Sequence, residues 1–289
     1  MKHLSVGAFA ALAIALAANA QFGGVFNKAK EKIDQATQKT KPVTDRAEKA
    51  ADTFQPWSAQ DEQDIGQAGA AKMVAIFGLV DDAGLNRYVN LVGNTVGQFA
   101  SRQLPWRFGI LDTSIVGAYA LPGGYIFITR GALAGMTNEA QLAGALGHEI
   151  THCAERHLER EIRGKKTSAW AVQEANNAGK SANIASLKGD AFVKDLFSTS
   201  LSRDKEDAAD EQGTQMAAKA GYSPAGLVQV LTSMRDASQK PENKQMFGQL
   251  LSTHPPFDSR IAHLQPIIAR LGSSGETLEA RFSAAVMPQ

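Results

Sequence analysis

The sequence contains a single cysteine, Cys153, in 289 residues. With no second thiol, no intramolecular disulfide can form even in an oxidising compartment. An excess of charge is also missing: 30 Lys and Arg against 29 Asp and Glu leave a formal net charge of +1. That balance removes the electrostatic reason to expect a nucleic acid as partner. No 34-residue repeat can be traced, so a tetratricopeptide module is not expected in this chain. Long apolar runs are absent except at the N-terminus, where a short basic Met1-Lys2-His3 precedes an apolar stretch from Leu4 to Leu16. Ala18-Asn19-Ala20 then has the A-x-A form of a signal peptidase site. The run is too short to make a good membrane span, and no cysteine follows it to carry a lipid. Residues 1–20 are therefore expected to be a signal peptide, giving a mature chain that starts at Gln21 and is exported to a bacterial periplasm.

The remaining composition, 44% hydrophobic and 20% charged, can bury one sizeable core at this length. Residues 21–57 are rich in Lys, Glu, Gln and Thr and are interrupted by Pro42 and Pro56. They read as a polar helical tether. Ser58 can N-cap a helix carrying Ile65, Ala68, Met73 and Ile76, and a second helix is expected over about 86–102 on Leu91, Val92, Val96 and Phe99. Trp106 to Leu111, Ser114 to Ala120 and, after the turn Pro122-Gly123-Gly124, Tyr125 to Thr129 read as strands. The polar insertion 164–200 reads as a lid over a cleft or a long helical connection. Helices are expected over 222–235, 241–251 and from Ser259 to Leu271, with 273–289 as a loose tail.

One segment carries chemistry. His148-Glu149-Ile150-Thr151-His152 places two histidines four residues apart, on one face of a helix, so that both imidazoles converge on a point. Neutral imidazole suits Zn²⁺, and Glu149 stands one residue round, within reach of a water at the metal. The helix is well specified. Asn138 can cap it with Gln141 as reciprocal partner, Leu142, Leu146 and Ile150 recur every fourth residue, and Glu139 suits the positive N-terminus. A catalytic zinc site needs a third ligand. Glu206 and Asp210, four apart in Ser202-Arg203-Asp204-Lys205-Glu206-Asp207-Ala208-Ala209-Asp210, are the candidates downstream. Such an acidic turn is ordinarily a solvated face. After an HExxH helix it reads instead as Glu206 on the metal and Asp210 on the far nitrogen of a ligand histidine. Cys153, turned about 100° from His152, reads as a small buried hydrophobe. His157, five residues from His152, is a poor ligand candidate and reads as structural.

Together with Ala118-Tyr119-Ala120-Leu121-Pro122-Gly123-Gly124-Tyr125-Ile126-Phe127-Ile128-Thr129-Arg130-Gly131, these blocks resemble a zinc metallopeptidase family. It is the one that includes the CAAX prenyl endopeptidase, HtpX, the mitochondrial Oma-type protease and the periplasmic beta-barrel assembly-enhancing protease. A shorter match is His254-Pro255 followed by Arg260-Ile261. The resemblance implies an α+β, zincin-like domain over 58–272, mostly helical, with a small antiparallel-containing sheet beside the HExxH helix. It implies one Zn²⁺ per chain held by His148, His152 and Glu206, with Glu149 as general base. It also implies His254 and Arg260 as candidates for stabilising the oxyanion, His254 alternatively as a latch on the metal's open position. The strand from Gly117 to Leu121 is the candidate edge for a substrate strand, although the family usually has Asn where this chain has Gly117.

The function so implied is exported endopeptidase action on misfolded or misassembled envelope proteins. Protein or peptide substrates would be the partners, with peripheral contact to membrane or to outer-membrane assembly machinery. The alternatives are a non-enzymatic envelope chaperone or assembly factor on the same fold, and a zinc amidase acting on cell-wall material.

Overall fold

The computed structural model describes residues 56–163 and 200–286. The expected signal peptide, nearly all of the tether and the insertion 164–199 lie outside the described residues. The protein is mostly helical around a three-stranded sheet, an α+β domain.

Helix α1 (Ala59–Phe77) starts from Ser58, whose hydroxyl accepts from the Asp61 amide at 3.2 Å while Asp61 accepts from the Ser58 amide at 3.0 Å. This reciprocal cap satisfies two donors that the first turn would otherwise leave open. Helix α2 (Ala83–Gly97) is capped by Asp82, which accepts from the Leu85 amide at 2.9 Å. Its inward stripe is Val89, Val92 and Val96. Leu91 and Phe99, expected inside, are exposed, as is Ile76 of α1. The helical repeat chooses one stripe, and Leu91 lies about 100° from Val92.

The sheet has the order β1-β3-β2, formed by β1 (Arg107–Leu111), β2 (Ala118–Leu121) and β3 (Tyr125–Thr129). β1 is parallel to β3 and β2 antiparallel to it. Since β1 and β2 flank β3, residues 112–117 must cross its end, which is why the second strand begins at Ala118 rather than at Ser114. β3 is buried on both faces. Tyr125 and Phe127 pack with Met73 and Val74 of α1, while Ile126 and Ile128 face the larger core, as a period of two requires. The β2–β3 turn passes through Gly123 at φ 75° and Gly124 at φ 85°, backbone that only glycine adopts at little cost.

A short helix α3 (Arg130–Ala134) leads to the central helix α4 (Glu139–Ala154). Asn138 caps α4 by accepting from the Gln141 amide at 3.0 Å. The Gln141 side chain accepts from the Thr137 amide at 2.9 Å, one residue earlier than the expected reciprocal partner. Every residue of α4 except Ala145 is buried, so it has no solvated face. Helix α5 (Arg203–Lys219) crosses it where Gly147 meets Gly213; a methyl group on Gly213 would stand 2.5 Å from the His148 amide nitrogen. Helices α6 (Gly226–Ser238), α7 (Lys244–Thr253) and α8 (Phe257–Leu271) complete the surround.

The segment after Gly272 is not loose over its described part. Helix α9 (Glu279–Val286) buries Phe282 against Tyr88, and Arg281 grips Glu139 at the start of α4. Main-chain bonds hold the segment as well: the Thr277 carbonyl accepts from the Glu139 amide at 2.9 Å, and the Glu276 carbonyl accepts from the Ser223 amide at 3.0 Å, contacts that its composition does not announce.

Candidate metal centre

His148 and His152 sit one turn apart on α4 with their Nε2 atoms 2.9 Å apart. Glu206, in the first turn of α5, points at both. Its Oε2 is 3.8 Å from His148 Nε2 and its Oε1 is 3.5 Å from His152 Nε2. Neither carboxylate oxygen has a hydrogen-bond partner, and both are buried. His254, the residue that ends α7, brings its Nε2 to 3.8 Å from Glu206 Oε2. His148, Glu206 and His254 can place one ligand atom each within 4.8 Å of one another.

A buried carboxylate without a partner is costly, and a cation among these nitrogens and oxygens removes the cost. Tetrahedral zinc with bonds of about 2.0–2.1 Å spaces its ligand atoms by roughly 3.3–3.5 Å. The 3.5 Å from Glu206 Oε1 to His152 Nε2 is of that size, the 3.8 Å from Oε2 to His148 Nε2 lies a little beyond it, and the donor set is one that zinc uses. The residues therefore fit the metal.

The outer nitrogens of both histidines are held. His148 Nδ1 lies 2.9 Å from Asp210 Oδ1. Asp210 in turn accepts two bonds from Arg260, Nε to Oδ2 at 2.9 Å and Nη2 to Oδ1 at 2.6 Å. Burial alone would raise the Asp210 carboxyl, but the charge and hydrogen bonds of Arg260 hold it well below the usual range. His152 Nδ1 lies 2.9 Å from His157 Nδ1. A histidine that offers Nε2 to a metal carries its proton on Nδ1, so Asp210 and His157 are each placed to accept it.

His157 is thus not near the metal-facing nitrogens, as its spacing suggested, but its ring is not remote either. Spacing along a helix misses it because α4 stops at Ala154 and Arg156 takes φ 55°, which turns the chain back toward His152. The turn is pinned from α1. Glu62, buried, accepts from Arg102 at 3.0 and 2.8 Å and pairs with Arg156 at 2.7 Å, while Arg102 also donates to the Cys153 and Ala154 carbonyls. Cys153 is buried, donates to the Leu121 carbonyl at 3.1 Å, and is pushed by burial well above an ordinary thiol.

Glu149 lines a cavity shared with His148, His254 and Arg260. Burial first, and the Glu206 charge after it, push its carboxyl up to about 7, with His148 and Arg260 opposing. Burial, with Arg260 and His148 adding, pushes His254 down to about 3. Arg260 is buried with its guanidinium on Asp210, and its Nη2 stands 3.3 Å from His148 Nδ1. It lies on the Nδ1 side of His148, engaged by a carboxylate.

The expected edge strand opens on the same cavity, through Gly117 and Ala118. The Thr129 amide donates to the Gly117 carbonyl at 3.0 Å, so the alternation of an antiparallel pair turns the main-chain groups of Ala118 and Ala120 away from β3.

The family model described as Peptidase family M48 matches residues 84–268. Among similar proteins, the beta-barrel assembly-enhancing protease of Yersinia pestis is 28% identical over 216 residues, covering 71% of this chain and 43% of that protein. Its counterpart in Escherichia coli (strain K12) is 29% identical over 196 residues, 64% of this chain and 39% of the other. The mitochondrial metalloendopeptidase OMA1 of Danio rerio is 28% identical over 175 residues, 57% of this chain and 36% of its own length. The chain thus spans about two fifths of the length of these relatives.

Proposed function

The chain belongs to peptidase family M48, and from that membership we propose that it is an exported, zinc-dependent endopeptidase. Its substrates would be misfolded or misassembled envelope proteins, the setting that the names of the beta-barrel assembly-enhancing relatives suggest. The observation that carries the reading is Glu206: a buried carboxylate with both oxygens unpartnered, facing two imidazole nitrogens on the helix that also bears Glu149.

His148, His152 and Glu206 would hold one zinc ion. When bound, zinc lowers the pKa of water toward neutrality and polarises a carbonyl. Glu149 is the general base. Its carboxylate would take the water's proton and later deliver it to the leaving amine. Asp210 and His157 hold the ligand imidazoles in one orientation, each through Nδ1. Arg260 fixes Asp210 and supplies positive charge behind His148. His254, its Nε2 3.8 Å from Glu206 Oε2, would serve either as a latch on the metal's open position or as a partner for the oxyanion. Ala118 and Ala120 present main-chain donors and acceptors to an extended peptide.

The test is casein cleavage by the purified mature chain with its metal content measured. About one zinc per chain is expected, chelation should abolish cleavage, and Glu149→Gln should keep the zinc and lose activity. A Glu149→Gln variant cutting at the native rate would reject the mechanism, and hydrolysis of small amides without cleavage of casein would replace an endopeptidase with an amidase. Export is read from the N-terminus: chain recovered from the envelope should begin at Gln21, and a chain still starting at Met1 in the membrane fraction would reject the cleaved leader. Among the described residues no helix is long and apolar enough to cross a membrane.

A further inference from the structure

We propose, resting on the zinc reading above, that Arg156 is a positioning residue for the metal centre. Its side chain, fastened to the N-terminal end of α1, holds the turn that brings His157 to His152. Arg156 is one of two non-glycine residues with positive φ among the described residues, at 55°. A Cβ makes that backbone costly, whereas glycine adopts it freely. An arginine there needs side-chain contacts that offset the cost, and it has them. Its Nη2 pairs with Glu62 Oε1 at 2.7 Å, and its Nη1 donates to the Trp57 carbonyl at 3.2 Å. The same Nη1 lies 3.6 Å from Glu159 Oε2. Trp57, Glu62 and Glu159 are all buried.

These anchors are themselves tied down. The Trp57 amide donates to Glu159 Oε1 at 2.8 Å, and Glu62 also holds Arg102, which closes the Cys153 and Ala154 carbonyls at the end of α4. On the other side, the guanidinium moves with the turn. The Arg156 amide donates to the Cys153 carbonyl at 3.2 Å, and its carbonyl accepts from the Arg160 amide at 3.0 Å. His157 comes next in the chain, so the backbone of residue 156 sets where its ring points. With the guanidinium gone, residue 156 is released toward the commoner regions of φ and ψ. Rotation there carries the His157 ring off His152 Nδ1, now 2.9 Å away. His152 then loses the partner that fixes its orientation toward the metal.

Zinc affinity is measured on the full chain by competition with a chelator, with the melting temperature recorded alongside. Arg156→Ala should weaken zinc about tenfold. Arg156→Lys should recover part of the loss, since an ammonium replaces the planar fork with a single point of contact. Arg156→Gly removes the side chain and the backbone cost together, so it should stay folded and still bind zinc more weakly. In a chain that carries His157→Phe, Arg156→Gly should cause no further loss, because the effect runs through His157. Unchanged affinity in the folded Arg156→Gly chain overturns the role. So does an equal loss with and without His157, or a lower melting temperature with zinc affinity intact.

If the wild-type chain binds no zinc, the metal reading fails, and the positioning is read in the metal-free chain. Nitrogen NMR then reports coupling between the Nδ1 atoms of His152 and His157 across their shared proton. Coupling present in wild type and lost in Arg156→Gly upholds the positioning. Coupling that survives the substitution, or that wild type lacks, overturns it.

Discussion

His152 and His157 meet Nδ1 to Nδ1 at 2.9 Å, although a left-handed residue, Arg156, and the end of a helix stand between them. The contact joins a candidate ligand to a histidine whose only evident task is to hold it. A carboxylate does the same work for the other ligand: Asp210 on His148.

Replacing His157 by Phe should keep the ring's volume and remove the acceptor. Zinc affinity is expected to fall by about 10–100-fold with little change in the melting temperature, and Gln at the position should restore part of it. A zinc titration by competition with a chelator measures this. Unchanged affinity in the Phe variant would show that the ring merely packs.

Glu206 and Asp210 should separate in the same titration. Glu206→Ala removes a proposed ligand, so zinc binding and cleavage should both collapse. Asp210→Asn should weaken zinc by about 10–100-fold. It should also destabilise the fold, because Arg260 is left buried without its counter-charge, a loss on the order of 3–5 kcal/mol when a buried pair is broken. Equal zinc occupancy in wild type and Glu206→Ala removes Glu206 from the ligand set.

His254→Ala reports on the latch. With its Nε2 3.8 Å from Glu206 Oε2, His254 reaches the ligand cluster, so its removal should raise basal casein cleavage. A drop of roughly 10²–10³ in kcat with zinc retained would make it an oxyanion partner instead, and no change in either would leave it structural.

The C-terminal clamp predicts a pH dependence. Burial alone would raise the Glu139 carboxyl, but hydrogen bonds from Arg281, Tyr222 and Tyr88 outweigh it and hold it below the ordinary value. A group with a depressed folded-state pKa contributes stability above its unfolded value, and the contribution is lost as pH falls through the folded one. Arg281→Ala should therefore cost about 1 kcal/mol at pH 7, small because Arg281 is more than half exposed. The gap between the two melting temperatures should narrow only in acid, below the ordinary carboxyl value of 4.5. A gap independent of pH would assign the effect to packing of α9.

Much of the fold was legible because it is written locally. Ser58 and Asn138 cap where their side chains allow, β3 appears where branched and aromatic residues follow a Pro-Gly-Gly turn, and the i, i+4 spacing of His148 and His152 needs only a helix. Position on a helix face was less legible. Leu91 and Ile76 are as apolar as their buried neighbours, and only contact with a partner element decides which stripe turns inward.

Sequence by itself determined the central helix, its two histidines and glutamate, and the acidic pair on a second helix, because each depends on spacings of four residues or fewer. Only the tertiary structure decided that the two helices cross at Gly147 and Gly213, with no room for a methyl group between them. That approach carries Glu206 to both imidazoles and Asp210 to one. The return of His157 to His152, the seat of Arg260 on Asp210 and the clamp of Arg281 on Glu139 were equally invisible. They join residues 5, 50 and 142 positions apart through turns and packing that no local period encodes.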